Sequence, residues 1–341
     1  MQNPESVKLT SWVFEPCQKT YGLFLFFGLI IGLVVVACIF TASQDKPEAL
    51  PFQENITIPQ ADIDYQAIKR IANVDPSDNL IGFVNADGSG NVLIKLQSER
   101  PYRPVVSREW DGIFFAGSQG NPYNIEGSAG PIYFLDKTGN YLTCGNIYFP
   151  YYFPVYGTKS VLVDESDEIV LLDVSTCKIM KTLVSIPSSD SQELRIDNAV
   201  PSDSGNKVIF SEWHSNGTTE WHTIHIVDID SGNLKEILDG GFDASLSPDE
   251  KKIAYVGDSG IYLAYSDGSD PRLLMPIAFN DETVNIYPWP FWSPDGTMLI
   301  YHKCINTECY DLSDFNIYTL NVNTGVEKKI VDGGLYPSWI K

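Results

Sequence analysis

Trp292-Ser293-Pro294-Asp295-Gly296-Thr297-Met298-Leu299-Ile300-Tyr301 sets the architecture of the whole chain. Proline presets φ at the second position of a type I turn, Asp tolerates the bridge region at the third, and Gly follows at the fourth. A strand therefore ends at Trp292. The next begins near Met298, because Met-Leu-Ile-Tyr is too apolar and too β-prone for a loop.

The same unit recurs along the chain. Leu246-Ser247-Pro248-Asp249-Glu250 leads into Lys252-Ile253-Ala254-Tyr255, and Pro201-Ser202-Asp203-Ser204-Gly205 precedes Val208-Ile209-Phe210. Weaker copies lie at Gly157-Thr158-Lys159 and at Ser107 to Gly112, and Tyr336-Pro337-Ser338-Trp339 repeats the approach to the turn before the sequence stops. Anchors at 107, 157, 202, 247, 293 and 338 are spaced by 45 to 50 residues. That period in β-rich sequence predicts four-stranded propeller blades rather than a helical array. A second pair of short strands with hairpin punctuation follows the anchors, as in Gly260 to Ala264 with Asp267-Gly268, and Phe315 to Leu320 with Thr324-Gly325.

The succession of an approach strand, WSPDG, an apolar strand, an Ile-Tyr strand, a Gly turn and a final strand resembles the propeller repeat of the TolB family, also seen in the propellers of prolyl oligopeptidases. The resemblance covers roughly residues 100 to 341, most clearly in the last two repeats. For Trp292, Ser293, Pro294, Asp295 and Gly296, and for Ser247, Pro248 and Asp249, it implies an architectural role and no chemistry. The α/β domain that precedes the propeller in TolB has no counterpart in this sequence, and neither does the hydrolase domain of the peptidases.

The expected fold is an all-β six-bladed β-propeller, with seven blades as the alternative, preceded by one N-terminal transmembrane helix. The last anchor falls three residues from the end, so ring closure requires strands from the front of the chain. Residues 335–340 are expected to pair with 79–97, where Leu80 to Val84 and Asn91 to Leu96 read as strands. Asp62 to Val74 reads as either a lead-in helix or the strands of a seventh blade.

Composition bounds the function. The 341 residues are 43% hydrophobic with 26 Gly and 21 Pro, enough apolar content for a large core rich in turns. With 44 acidic against 23 basic side chains the net charge is −21, which repels polyphosphate and excludes nucleic acid as a partner.

Residues 1–20 read as a short cytoplasmic tail. Tyr21 to Thr41 carry no charge, and at about 1.5 Å per residue they are long enough to cross a hydrocarbon core of about 30 Å. This run, 21–41, is expected to be a signal anchor that holds the chain in the cell membrane by a single pass. Val35-Val36-Ala37-Cys38 also fits a bacterial lipobox, in which case Cys38 would be the lipidated first residue. Lys8 and Lys19 precede the helix, placing the N-terminus inside and the propeller on the extracytoplasmic side. Residues 42–60 read as a polar, Pro-containing linker and 61–341 as the propeller. Gly28 and Gly32 form a GxxxG pair through which two anchors could pack as a homodimer. Asn55-Ile56-Thr57 and Asn216-Gly217-Thr218 are sequons only where the source glycosylates.

Most chemical motifs dissolve into turns. Gly257-Asp258-Ser259-Gly260 has the form of a serine-protease nucleophile motif but falls in an expected hairpin. Asn85 to Asn91 has the form of half a calcium loop without its distal bidentate Glu. His214, His222 and His225 cluster in one hairpin, where His222 and His225, an odd number apart, should face opposite sides of a strand and Trp213 should pair with Trp221. Cys144, Cys177, Cys304 and Cys309 remain outside the anchor. Cys304 and Cys309 are read as a local disulfide clip, with a metal site that also draws on His302 and Asp311 as the alternative. No metal, cofactor or catalytic residue is assigned.

Aromatic density remains, concentrated on the approach to the innermost strands. Tyr151, Tyr152, Phe153, Tyr287, Trp289 and Tyr336 are the candidate binding face, because Pro150, Pro154, Pro288 and Pro290 suit loops better than ladders. Exposed Tyr and Trp in clustered loops are typical of contact surfaces. The expected function is a membrane-tethered binding or scaffold module for an envelope or surface protein or glycan. The alternative is a propeller hydrolase or lyase with its active site in the central channel.

Overall fold

The computed structural model describes residues 71–75, 80–90, 92–95, 101–107, 112–117, 130–136, 141–149, 155–156, 159–163, 168–173, 176–186, 193–277, 288–305 and 314–339. The expected tail, membrane helix and linker, together with Cys38, Gly28 and Gly32, lie outside the described residues. So do Tyr151, Tyr152, Phe153, Tyr287 and Cys309. Among the described residues no helix is long and apolar enough to cross a membrane.

The described residues form an all-β, propeller-like arrangement containing six four-stranded antiparallel sheets. Sheet two holds Pro101–Ser107, Gly112–Gly117, Gly130–Asp136 and Tyr141–Phe149. Sheet three holds Val155–Tyr156, Lys159–Val163, Glu168–Asp173 and Lys178–Ser185. Sheet four holds Glu193–Pro201, Lys207–Ser215, Glu220–Asp228 and Leu234–Asp239. Sheet five holds Phe242–Leu246, Lys252–Gly257, Gly260–Tyr265 and Arg272–Pro276. Sheet six holds Phe291–Trp292, Met298–Cys304, Phe315–Asn321 and Glu327–Val331. Each sheet meanders in chain order.

Sheet one departs from that rule, since it joins the C-terminal strand Leu335–Trp339 to Ile71–Asp75, Leu80–Val84 and Val92–Lys95. The neighbour of the C-terminal strand differs from the expected one: Trp339 pairs with Ile71, Ser338 with Ala72 and Leu335 with Val74. Residues 80–84 and 92–95 share the sheet but lie further out, because Leu80–Val84 already has both ladders filled, by Ile71–Asp75 and by Val92–Lys95. Ile71-Ala72-Asn73-Val74-Asp75 is too short and too weakly apolar to be read as a strand by itself.

The sheets succeed one another as a ring. Each touches the next in chain order and the sixth touches the first, chiefly through the first strands. The turns that set the period are built as their sequence requires. Gly296 N donates to Ser293 O (2.8 Å), Met298 N to the Ser293 hydroxyl (2.9 Å), and that hydroxyl to Asp295 Oδ1 (2.6 Å). Ser247 repeats the clip, accepting from Lys252 N (3.0 Å) and donating to Asp249 (2.7 Å). These bonds, the serine hydroxyl first, hold the carboxyls of Asp249 and Asp295 below the usual aspartate range.

Both faces of the middle strands are apolar because each sheet is packed from both sides. On Met298–Cys304, Leu299 and Tyr301 join Ile261, Leu263 and Trp292 in the seam with sheet five, whereas Ile300 joins Val84, Ile317 and Ile330 in the seam with sheet one. Ile209 and Ile224 likewise meet Ile253 and Tyr255 between sheets four and five, and Phe210 and Val208 meet Ile169 and Leu171 between sheets three and four. Each such side chain contributes about 1.5–3 kcal/mol by leaving water. The outer strand Lys178–Ser185 is largely exposed and carries Lys178 and Lys181, which blunts it as an edge.

Candidate functional site

At the start of the first strands, the end away from the Ser-Pro-Asp turns, the backbone is irregular sheet after sheet. The ladders shift register between Tyr102 and Val105, between Ile196 and Asn198, between Phe242 and Ser245, and between Ala72 and Val74 opposite the C-terminal strand. Three non-glycine residues sit there in left-handed conformation: Asp243 (φ 51°), Trp289 (φ 44°) and Tyr336 (φ 54°). Each costs on the order of 1–3 kcal/mol and persists only where neighbours enforce it. Such bulges re-aim side chains next to functional sites.

The enforcing contacts cross from sheet to sheet. Ser245 Oγ donates to Pro290 O (2.6 Å), Ser338 Oγ to Pro104 O (2.8 Å), Trp292 Nε1 to Ser245 O (3.2 Å) and Trp339 Nε1 to Phe291 O (3.0 Å). Within this rim the rings of Trp289 and Tyr336 tilt against each other at 5.7 Å. His302, buried beside them, presents its ring edge-on to Tyr336 and Phe315.

The expected aromatic face is thereby corrected in one member. Tyr336 is buried, 7% exposed, with Leu335 and Phe315, so it supports the surface rather than forming it. It sits at a seam closed by the ring, a partner its flanking sequence could not reveal. Trp289 is half-buried, packed against the clusters of sheets five and six.

Sheet four carries the imidazoles. His222 Nε2 lies 2.9 Å from Asp197 on the face toward sheet five, where its ring meets Phe242. On the opposite face His225 Nε2 lies 3.2 Å from Glu212 and 2.8 Å from the Thr223 hydroxyl, which also meets His214 Nε2 at 2.9 Å. Phe210 stacks on His225 at 5.1 Å. The two faces thus keep His222 and His225 apart, and among the described residues no group of three metal-ligating side chains converges. A carboxylate-imidazole pair can hold or pass a proton.

The expected Trp213–Trp221 pair is replaced. The loop Asn216 to Thr219 sets Ser215 opposite Glu220, so His214 faces Trp221 and stacks on it at 5.0 Å, while Arg195 lies over Trp213 at 4.2 Å. A shift of one residue exchanges every partner. Asp258 and Ser259 form a two-residue hairpin between paired Gly257 and Gly260. Asn85 to Gly90 also form a hairpin turn, in which Asp87 Oδ1 accepts from Ser89 N (2.9 Å). Cys177 and Cys304 are each disulfide-bonded.

Sequence reasoning missed the seam serines, Ser245 and Ser338. A legible signal existed in the prolines whose carbonyls they meet, Pro290 and Pro104, each near the start of a first strand.

No protein-family model and no curated protein matches this chain. Solved structures do. TolB from Acinetobacter baumannii is similar at a TM-score of 0.55 and 17% identity, over 81% of this chain and 67% of that one. The putative TolB from Agrobacterium tumefaciens is similar at 0.54 and 15%, over 78% and 91%. An oligogalacturonate lyase in complex with manganese is similar at 0.47 and 16%, over 76% and 71%. At these identities the likeness is one of fold alone: the chain shares the propeller-like fold of the two TolB structures.

Proposed function

We propose that this chain is a single-pass, membrane-tethered scaffold whose six sheets form a six-bladed propeller on the extracytoplasmic side. It contacts an envelope or surface protein or glycan through the aromatic rim. The strained Trp289, held in left-handed backbone against Tyr336, is the observation that carries this reading. Strain of this kind is retained where a side chain must be aimed. Tyr151, Tyr152, Phe153 and Tyr287 extend the contact surface, Tyr336 braces it, and residues 21–41 hold it to the membrane.

The disulfides at Cys177 and Cys304 support an oxidising, extracytoplasmic compartment. Cys304 takes Cys309 as its partner. Gly28 and Gly32 let two anchors associate. The alternative, a hydrolase or lyase, would draw on the pairs His225–Glu212 and His222–Asp197, which lie on opposite faces of one sheet and do not converge.

The test combines fractionation with crosslinking on intact cells. Full-length protein should stay with membranes through alkaline extraction, and Tyr151→Ala/Tyr152→Ala should lose its crosslinked partner while keeping the parent's melting temperature. Retention of all crosslinks in that variant, or release of the protein by alkali, would defeat the reading.

A further inference from the structure

Sheet five lines a cleft of about 240 Å³ at the end of the sheets opposite the aromatic rim. It is lined by Lys252, Leu263, Ala264, Tyr265, Asp270 and Arg272. Register explains the grouping: Lys252 pairs with Tyr265 and Leu263 with Arg272, so these four side chains share the face turned to sheet six. Leu263 is buried and forms an apolar floor, while Tyr265 is 50% exposed at the opening.

The repeat supplies its own control. In the preceding seam, Lys207 occupies the position of Lys252 and is neutralised by Glu250 of the next turn, Nζ to Oε2 2.6 Å. The residue that corresponds to Glu250 in the turn of sheet six is Gly296. A Cβ built there would meet only Pro248 Cδ, at 3.6 Å, an ordinary contact, so the position has room to start a side chain.

Arg272 likewise occupies the position of Lys181. Lys181 Nζ is seated on Ile229 O at 2.7 Å, whereas Arg272 reaches the matching Val322 O through one nitrogen at 3.5 Å, leaving its other donors toward the cleft. Among the described residues neither Lys252 nor Arg272 forms an ion pair. The Asp249 carboxylate, which feels the Lys252 charge, is already held by the Ser247 hydroxyl and by Lys251 N. Two cations without an ion-pair partner thus line one cleft with a single carboxylate, Asp270, in a chain of net charge −21.

We propose that this cleft binds a small hydroxy-carboxylate. The guanidinium fork of Arg272 and the ammonium of Lys252 take the carboxylate that the repeat supplies from Glu250 one seam earlier. Asp270 accepts from a hydroxyl, and the ring of Tyr265 covers the carbon chain. The volume lies below that of pockets for drug-sized ligands and suits a molecule the size of a sugar acid. The site is independent of the rim and of its partner.

Titration calorimetry on the full-length protein in detergent tests this, with gluconate as the probe, sorbitol as its neutral analogue and inorganic phosphate as a second anion. Gluconate should bind saturably, and Arg272→Met and Lys252→Met should each weaken it about ten- to hundredfold. Gly296→Glu, which restores the repeat's own carboxylate in a backbone that Glu250 already adopts, should abolish binding without lowering the melting temperature. Gluconate binding that survives Gly296→Glu or Arg272→Met, equal binding of sorbitol, a preference for phosphate, or no gluconate binding at all would each overturn the assignment.

Discussion

Deleting residues 335–341 removes the strand on which the ring closes, and the cost follows from the buried side chains and hydrogen bonds that go with it. Leu335 and Tyr336 are buried against Phe315 and Trp289, worth about 1.5–3 kcal/mol each. Ser338 reaches Pro104 in sheet two and Trp339 reaches Phe291 in sheet six, two bonds worth about 0.5–1.5 kcal/mol each. The loss is on the order of 4–9 kcal/mol, comparable with the roughly 5–15 kcal/mol by which a whole domain is stable. It also opens two seams at once and leaves Ile71–Asp75 as an unpaired edge. Circular dichroism melts of the truncated chain should show no cooperative transition at the parent's temperature, and hydrogen exchange should show protection disappearing from sheets six, one and two together. Ser338→Ala isolates one closing bond and should lower the melting temperature by a few degrees. An unchanged melting temperature on truncation, or exchange confined to sheet one, would make the C-terminal strand an appendage and not the clasp.

Ser293→Ala strips the hydroxyl that bonds both Met298 N and Asp295, leaving a part-buried amide without its acceptor; urea unfolding should lose about 0.5–1.5 kcal/mol, and a loss under a few tenths would show that the turn needs only its proline and glycine. Glu250 is desolvated, which pushes its pKa up, but hydrogen bonds from Lys207, Ser204 and Ser202 outweigh that and hold it below its ordinary 4.5. A depressed carboxyl stabilises the fold above its unfolded pKa and stops doing so as pH falls through the folded one. The urea midpoint of the parent should therefore exceed that of Glu250→Gln at about pH 7, and the gap should narrow progressively below about pH 4.5; a constant gap down to about pH 3 would remove Glu250 from the acid response.

The elements nearest the turn motif were legible because their signal is local. Trp292 ends one strand and Met298 begins the next, as Pro294, Asp295 and Gly296 require, and the same holds at Ser247 and Ser202. Ile71–Asp75 was not legible, because five residues with two polar side chains acquire strand character only from the partners on either side. The candidate rim was legible as composition and not as exposure: Trp289 and Tyr336 look alike in sequence, yet one is half-buried and the other buried.

The all-β class, the blade period, the acidic balance and the uncharged N-terminal run are all written in local sequence, since each depends on composition or on side chains within a few residues of one another. Folding alone selects the strand that closes the ring, the face of sheet four that each histidine takes, and the cations left without an ion-pair partner. Those depend on residues brought together from distant parts of the chain, such as Ser338 with Pro104 and Lys207 with Glu250, where packing and not spacing chooses the neighbour.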